Sequence, residues 1–121
     1  MQFQNEIDEQ IPEDLKSLMT QIDSYFEGKG INTIVDLNQK ALEYLLYDSF
    51  VWEFAIESRY GIFSASLAIG DGFRGVTSLL GRKLSLNCDE ESILANLEII
   101  DKYCRLRLPN KFLTEFESEH D

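Results

Sequence analysis

Phe50-Val51-Trp52-Glu53-Phe54-Ala55-Ile56-Glu57 is the stretch on which the fold turns. Apolar residues occupy nearly every side of it. Glu53 and Glu57 are four apart, so a helix presents both on one face. Aromatic and β-branched residues favour a strand instead. The segment on its N-terminal side reads as helical, so helix is the preferred reading from Phe50 towards Ile69, with a break at Gly61. Strands across 50–69 are the alternative.

Upstream, Pro12-Glu13-Asp14 has the form of a helix start: proline suits the first turn and two acids complement the helix dipole. Leu15, Leu18, Met19, Ile22, Tyr25 and Phe26 follow at i, i+3, i+4 and i+7 spacing. Gly28 and Gly30 end that helix. Val35, Leu37, Ala41, Leu42, Leu45 and Leu46 then supply a broad apolar face, which predicts a second helix from Thr33 or Asp36, ended by Asp48-Ser49.

Downstream, Gly70-Asp71-Gly72-Phe73-Arg74-Gly75 reads as a tight turn, and Val76 to Leu86 as a short amphipathic piece broken at Gly81. Asn87 and Glu90 match a capping box. Ile93, Leu94, Leu97, Ile100, Tyr103 and Cys104 form the stripe of a long helix. Pro109 separates it from a last short helix over 110–116 and a frayed acidic tail over 117–121. The predicted fold is therefore all-α: one compact helical bundle of about five to seven helices spanning residues 1–121. The alternative is α+β, with residues 50–69 as strands.

Charge narrows the function. The chain holds 22 acids and 11 bases, a net charge of −11. Residues 1–60 carry 12 acids and 4 bases, and residues 87–121 carry 9 and 4, whereas residues 61–86 hold Asp71 against Arg74, Arg82 and Lys83. Phosphate repels such acidic stretches, so nucleic acid is a poor partner and a basic protein a good one. No apolar run approaches the ~18 residues of a membrane span. The acidic, polar start Met1-Gln2-Phe3-Gln4-Asn5-Glu6 is unlike a secretory signal. A cytoplasmic location is expected. Cys88 and Cys104, about 24 Å apart if one helix joins them at ~1.5 Å per residue, are too distant for an internal disulfide.

Catalytic and cofactor motifs are thin. Gly70, Gly72 and Gly75 spell G-x-G-x-x-G, with Asp89 or Glu90 downstream, but no βαβ unit surrounds them and Asp71 would oppose a pyrophosphate. They are assigned to a turn. His120, the single histidine, lies in the tail, so nucleophilic catalysis lacks a positioned base. Two cysteines and that histidine are badly spaced for zinc. No cofactor, no metal and no enzymatic activity are expected.

Two segments carry a resemblance: Leu45-Leu46-Tyr47-Asp48-Ser49-Phe50-Val51-Trp52-Glu53-Phe54, and Asn96-Leu97-Glu98-Ile99-Ile100-Asp101-Lys102-Tyr103-Cys104-Arg105-Leu106-Arg107-Leu108-Pro109. Their texture resembles small bacterial immunity proteins of contact-dependent growth-inhibition systems. The resemblance implies a cytoplasmic protein without catalysis. It would bind the toxin domain of a cognate effector, often a nuclease, and cover its active site or substrate surface. Such proteins have diverse folds, so no architecture follows. The site residues come from charge instead. Glu53 and Glu57, with Asp48 near the start of their helix, are the candidate toxin-binding acids. Tyr47 and Tyr60, each beside a charged residue at an element end, are the candidate aromatic anchors. An acidic helical adaptor or chaperone, and a small nucleotide-binding enzyme, are the competing functions.

Overall fold

A computed structural model describes residues 11–81 and 83–120. Helix α1 (Glu13–Tyr25) leads into strands β1 (Gly30–Asp36), β2 (Ala41–Leu46) and β3 (Phe50–Glu57). A 3-10 turn (Ser58–Tyr60) precedes β4 (Ile62–Ile69) and β5 (Gly72–Gly75). Helices α2 (Val76–Leu80), α3 (Glu90–Leu106) and α4 (Asn110–His120) complete the order. The five strands form one antiparallel meander in the order β1-β2-β3-β4-β5. The fold is α+β, which corrects the expected all-α bundle.

The correction has a definite cause. In β2, Leu42, Tyr44 and Leu46 are buried; in β3, Trp52, Phe54 and Ile56; in β4, Phe63, Ala65 and Leu67. This is the period of two of a half-buried strand. The intervening outward positions include Ala41, Leu45, Val51 and Ala55, which are also apolar. They fill in the alternation and imitate the broad stripe of a helix. The segment expected to be a helix from Thr33 or Asp36 to Leu46 is instead the β1–β2 hairpin.

The buried face of the sheet meets α1 through Leu15, Leu18 and Ile22, and α3 through Ile93, Leu97, Ile100 and Cys104. Trp52 lies at the centre of this core, its ring 6.0 Å from that of Tyr103 at 88°. Leu113 and Phe116 of α4 close the end near the β2–β3 turn, Phe116 packing 5.3 Å from Tyr47. At Gly30 the backbone passes so close to the core that an added Cβ would stand 2.5 Å from Leu46 Cδ2. A side chain at this position would have to displace Leu46 and crowd Phe26.

Local boundaries follow their residues. The break expected at Gly61 is present, with φ +63°. Gly81, also left-handed, ends α2. The α1 and α3 helices stand where the apolar stripes place them, although Leu94 of the stripe is exposed. The cap of α3 is Asp89, not Asn87: its Oδ1 accepts from Ser92 N at 2.7 Å. Asn87 instead bridges to Ile62, and Phe63 N donates to Leu86 O at 2.8 Å, so this connection runs beside the start of β4. The last helix continues to His120, beyond the expected end at Phe116. The expectation of a solvated His120 side chain, and those for residues 1–10, fall outside the described residues.

Candidate functional site: the open face of the sheet

The helices named above pack on one face of the sheet. The other face is open among the described residues, and its register lays out side chains in rows. Ile34, Glu43, Glu53 and Ser66 are successive partners across β1 to β4. Asp36, Ala41, Ala55 and Ser64 form the next row, and Glu57 lies one step further along β3, paired with Ile62. Asp36, Glu43, Glu53 and Glu57 line one shallow depression of about 460 Å³ together with Ile34, Gln39 and Ala55. Among the described residues no basic side chain lines it.

Glu43 and Glu53 are direct cross-strand partners. Their Cβ atoms are about 5 Å apart, where like charges destabilise a sheet. Glu43 is partly held by Thr33, whose Oγ1 donates to Glu43 Oε2 at 2.8 Å. Thr33 sits at the irregularity where the β1 register shifts between Asn32 and Ile34. Asp36 Oδ1 accepts from Gln39 N at 3.1 Å and shapes the β1–β2 turn. These bonds orient two of the acids and leave their charge uncompensated.

The opposite end of the same face is apolar. Ile31, Leu45 and Val51 pair across β1 to β3, and Ala68 pairs with Phe73 at the matching level of β4 and β5. Ile31 is 59% exposed and Phe73 50%. The face is thus graded from apolar, near the β2–β3 and β4–β5 turns, to acidic, near the β1–β2 turn and the 3-10 turn.

The five candidate residues separate on this map. Glu53 and Glu57 share a face, as expected, but through the period of a strand, about 13 Å apart at ~3.3 Å per residue. Tyr60 is 67% exposed beyond the acidic end, with the Arg59 guanidinium 5.7 Å over its ring. Asp48 is exposed at the far, apolar end, so it does not join Glu53 and Glu57. Tyr47 is fully buried and cannot serve as a surface anchor. Asp36 and Glu43 escaped the sequence analysis because a helical register separates them from Glu53. Alternation within Leu42-Glu43-Tyr44 is the signal that would have found Glu43.

Tyr47 has a structural role. Tyr47 and Asp48 both have positive φ, +55° and +53°, and Ser49 N donates to Leu46 O at 3.0 Å. This is a type I′ turn, suited to the twist of a hairpin. Tyr47 Oη donates to Asp101 Oδ1, Tyr25 Oη reaches Asp101 Oδ2 at 3.5 Å, and Arg105 Nη1 donates to Tyr47 Oη at 3.3 Å. Arg105 continues to Glu117 at 3.3 Å. Burial, then the hydrogen bond to Asp101, push the Tyr47 phenol well above its ordinary value. The network fastens the turn to α1, α3 and α4.

Three other groups have the residue types of a catalytic or ligand site. Lys40, Ser58 and Asp14 meet where the β1–β2 turn touches α1: Lys40 Nζ is 2.7 Å from Asp14 Oδ2, Ser58 Oγ donates to the same oxygen at 2.8 Å, and Lys40 also contacts Ser58. Burial opposes ionisation of Asp14, but Lys40, Ser58 and the Leu15 N–H together hold it below the ordinary carboxylate value. The lysine is engaged in an ion pair, so this is a clamp and not a serine–lysine nucleophile. Cys88 and Cys104 are free thiols. Burial pushes Cys104 up to about 12, with the Trp52 indole pulling the other way, so it is inert. The three glycines of G-x-G-x-x-G belong to the β4–β5 hairpin and its exit, and an antiparallel sheet gives them no nucleotide-binding context. No group of three or more His, Cys, Asp or Glu among the described residues is arranged to hold a metal. No described helix is long and apolar enough to cross a membrane.

No protein-family model matches the chain, and no curated protein or solved structure matches it.

Proposed function

We propose that this chain is a cytoplasmic immunity protein: a binding protein without catalysis that neutralises a cognate toxin domain by covering its basic surface. The observation that carries the proposal is the depression holding Asp36, Glu43, Glu53 and Glu57 with no basic side chain lining it. Nuclease toxins present basic clefts to phosphates, and carboxylates can fill such a cleft in place of the phosphates. A stable fold has no local reason to set Glu43 against Glu53, and a cationic partner supplies one. The net charge of −11 favours fast, salt-sensitive association with such a partner.

The test is co-purification of the chain from its native lysate, identification of the bound protein, and a growth-protection assay with that protein's toxin domain. The expected partner is a basic domain whose toxicity the chain abolishes. Glu53→Lys with Glu57→Lys is expected to weaken protection while the melt of the free protein stays cooperative. Full protection by that variant, or binding unchanged across a wide salt range, would overturn the electrostatic mechanism.

A further inference from the structure

The apolar row of Leu45 and Val51 and the acidic row of Glu43 and Glu53 are two residues apart along β2 and β3, about 7 Å. One turn of helix advances about 5.4 Å, and i to i+4 about 6 Å. A helix running with the strands therefore meets the rows nearly in step, and on a twisted sheet a rod laid along the strands keeps contact over its length. We propose that the open face docks an amphipathic helix of the partner along β2 and β3, with apolar residues in one turn over Leu45 and Val51, arginine or lysine in the next turn over Glu43 and Glu53, and a further base about 13 Å beyond, over Glu57.

Charge complementarity selects this occupant. A second copy of the chain stacked on the same face would oppose four carboxylates with four more. Nucleic acid would bring phosphates to the same acids. Strand addition at the β1 edge meets the register shift at Asn32 to Ile34, which interrupts the edge ladder. An apolar peptide alone would leave the acids uncompensated. The exposed Ile31 beside Leu45 extends the apolar seat to the sheet edge.

The inference rests on the binding-protein reading but not on the partner being a toxin. The probe is a capped 18-residue helical peptide with leucines on one face of its first half and arginines on the same face of its second half. Two controls replace arginine by glutamate or scramble the order. Titrated into the isotope-labelled full chain, the arginine peptide is expected to give saturable amide shifts centred on residues 43, 45, 51 and 53. Affinity is expected to fall about tenfold in Glu43→Gln with Glu53→Gln, and similarly in Ile31→Ser with Leu45→Thr, each checked for an intact melt. Equal binding of the glutamate peptide, shifts centred on α1 or α3, or no saturable binding by about 1 mM would overturn the proposal. So would a concentration-dependent dimer abolished by Ile31→Ser with Phe73→Ser, which would make the face a contact between copies. Peptide docking without any toxin partner would remove only the neutralising function. Protection that survives the Ile31→Ser, Leu45→Thr variant would remove only the docking mode.

Discussion

Glu43 faces Glu53 across the β2–β3 ladder, on the open side of the sheet, with no cation between them among the described residues. The fold tolerates this repulsion because the buried partners on the other side of the same strands, Tyr44 and Trp52, hold the register. A one-residue slip of β3 would expose Trp52, Phe54 and Ile56 together.

Glu53→Lys converts the repulsion into an opposite-charge pair. The free protein is expected to gain about 0.2–1 kcal/mol in stability. Protection against the partner should fall at the same time. Urea melts beside growth assays check both, and a loss of stability would contradict the assignment of Glu43 and Glu53 as uncompensated neighbours.

Tyr47→Phe removes the donor to Asp101 and an acceptor for Arg105. A cost of about 2 kcal/mol is expected, as for a partly buried hydrogen bond to a charged group. Asp101→Asn should destabilise in the same direction. Equilibrium denaturation measures both, and the double variant should lose less than the sum.

Asp48→Gly relieves a left-handed residue in the type I′ turn. A gain of about 1 kcal/mol is expected. Because Asp48 lies in the β2–β3 turn and is not one of the acids of the depression, partner affinity should change little. A large loss of affinity with normal stability would return Asp48 to the binding surface.

Asp14 ionises below its ordinary value when folded. Its contribution is therefore complete above the unfolded value near 3.8 and is lost as pH falls through the lower folded value. Asp14→Asn should flatten the acid limb of the stability curve below about pH 4. Denaturant melts between pH 2 and 5 would reveal it, and identical acid limbs in both proteins would rule out the Lys40–Asp14–Ser58 clamp as a contributor.

Burial and hydrogen bonds to Asp23 and Asp101 raise the phenols of Tyr44 and Tyr47 above their ordinary value of 10.0. Folded stability from these groups is present below that value and is lost as pH rises above it. Absorbance titration at alkaline pH should show both tyrosines ionising only with unfolding. Ionisation while the circular dichroism remains native would place them closer to solvent than the core allows.

Helices α1 and α3, the breaks at Gly61 and Gly81, the buried Cys104 and the acidic balance were all legible in the sequence. A helix is closed by bonds four residues apart, so its stripe, caps and stops are local signals. Strands bury apolar residues by pairing with distant segments, and here the outward row of Ala41, Leu45, Val51 and Ala55 hid their period of two. Only the tertiary structure decided that Glu43 would oppose Glu53, that Asp36 would join Glu57, and that Tyr47 would turn inwards to Asp101. Each of those pairings lies across strand register or between strand and helix, and no spacing along the chain encodes it.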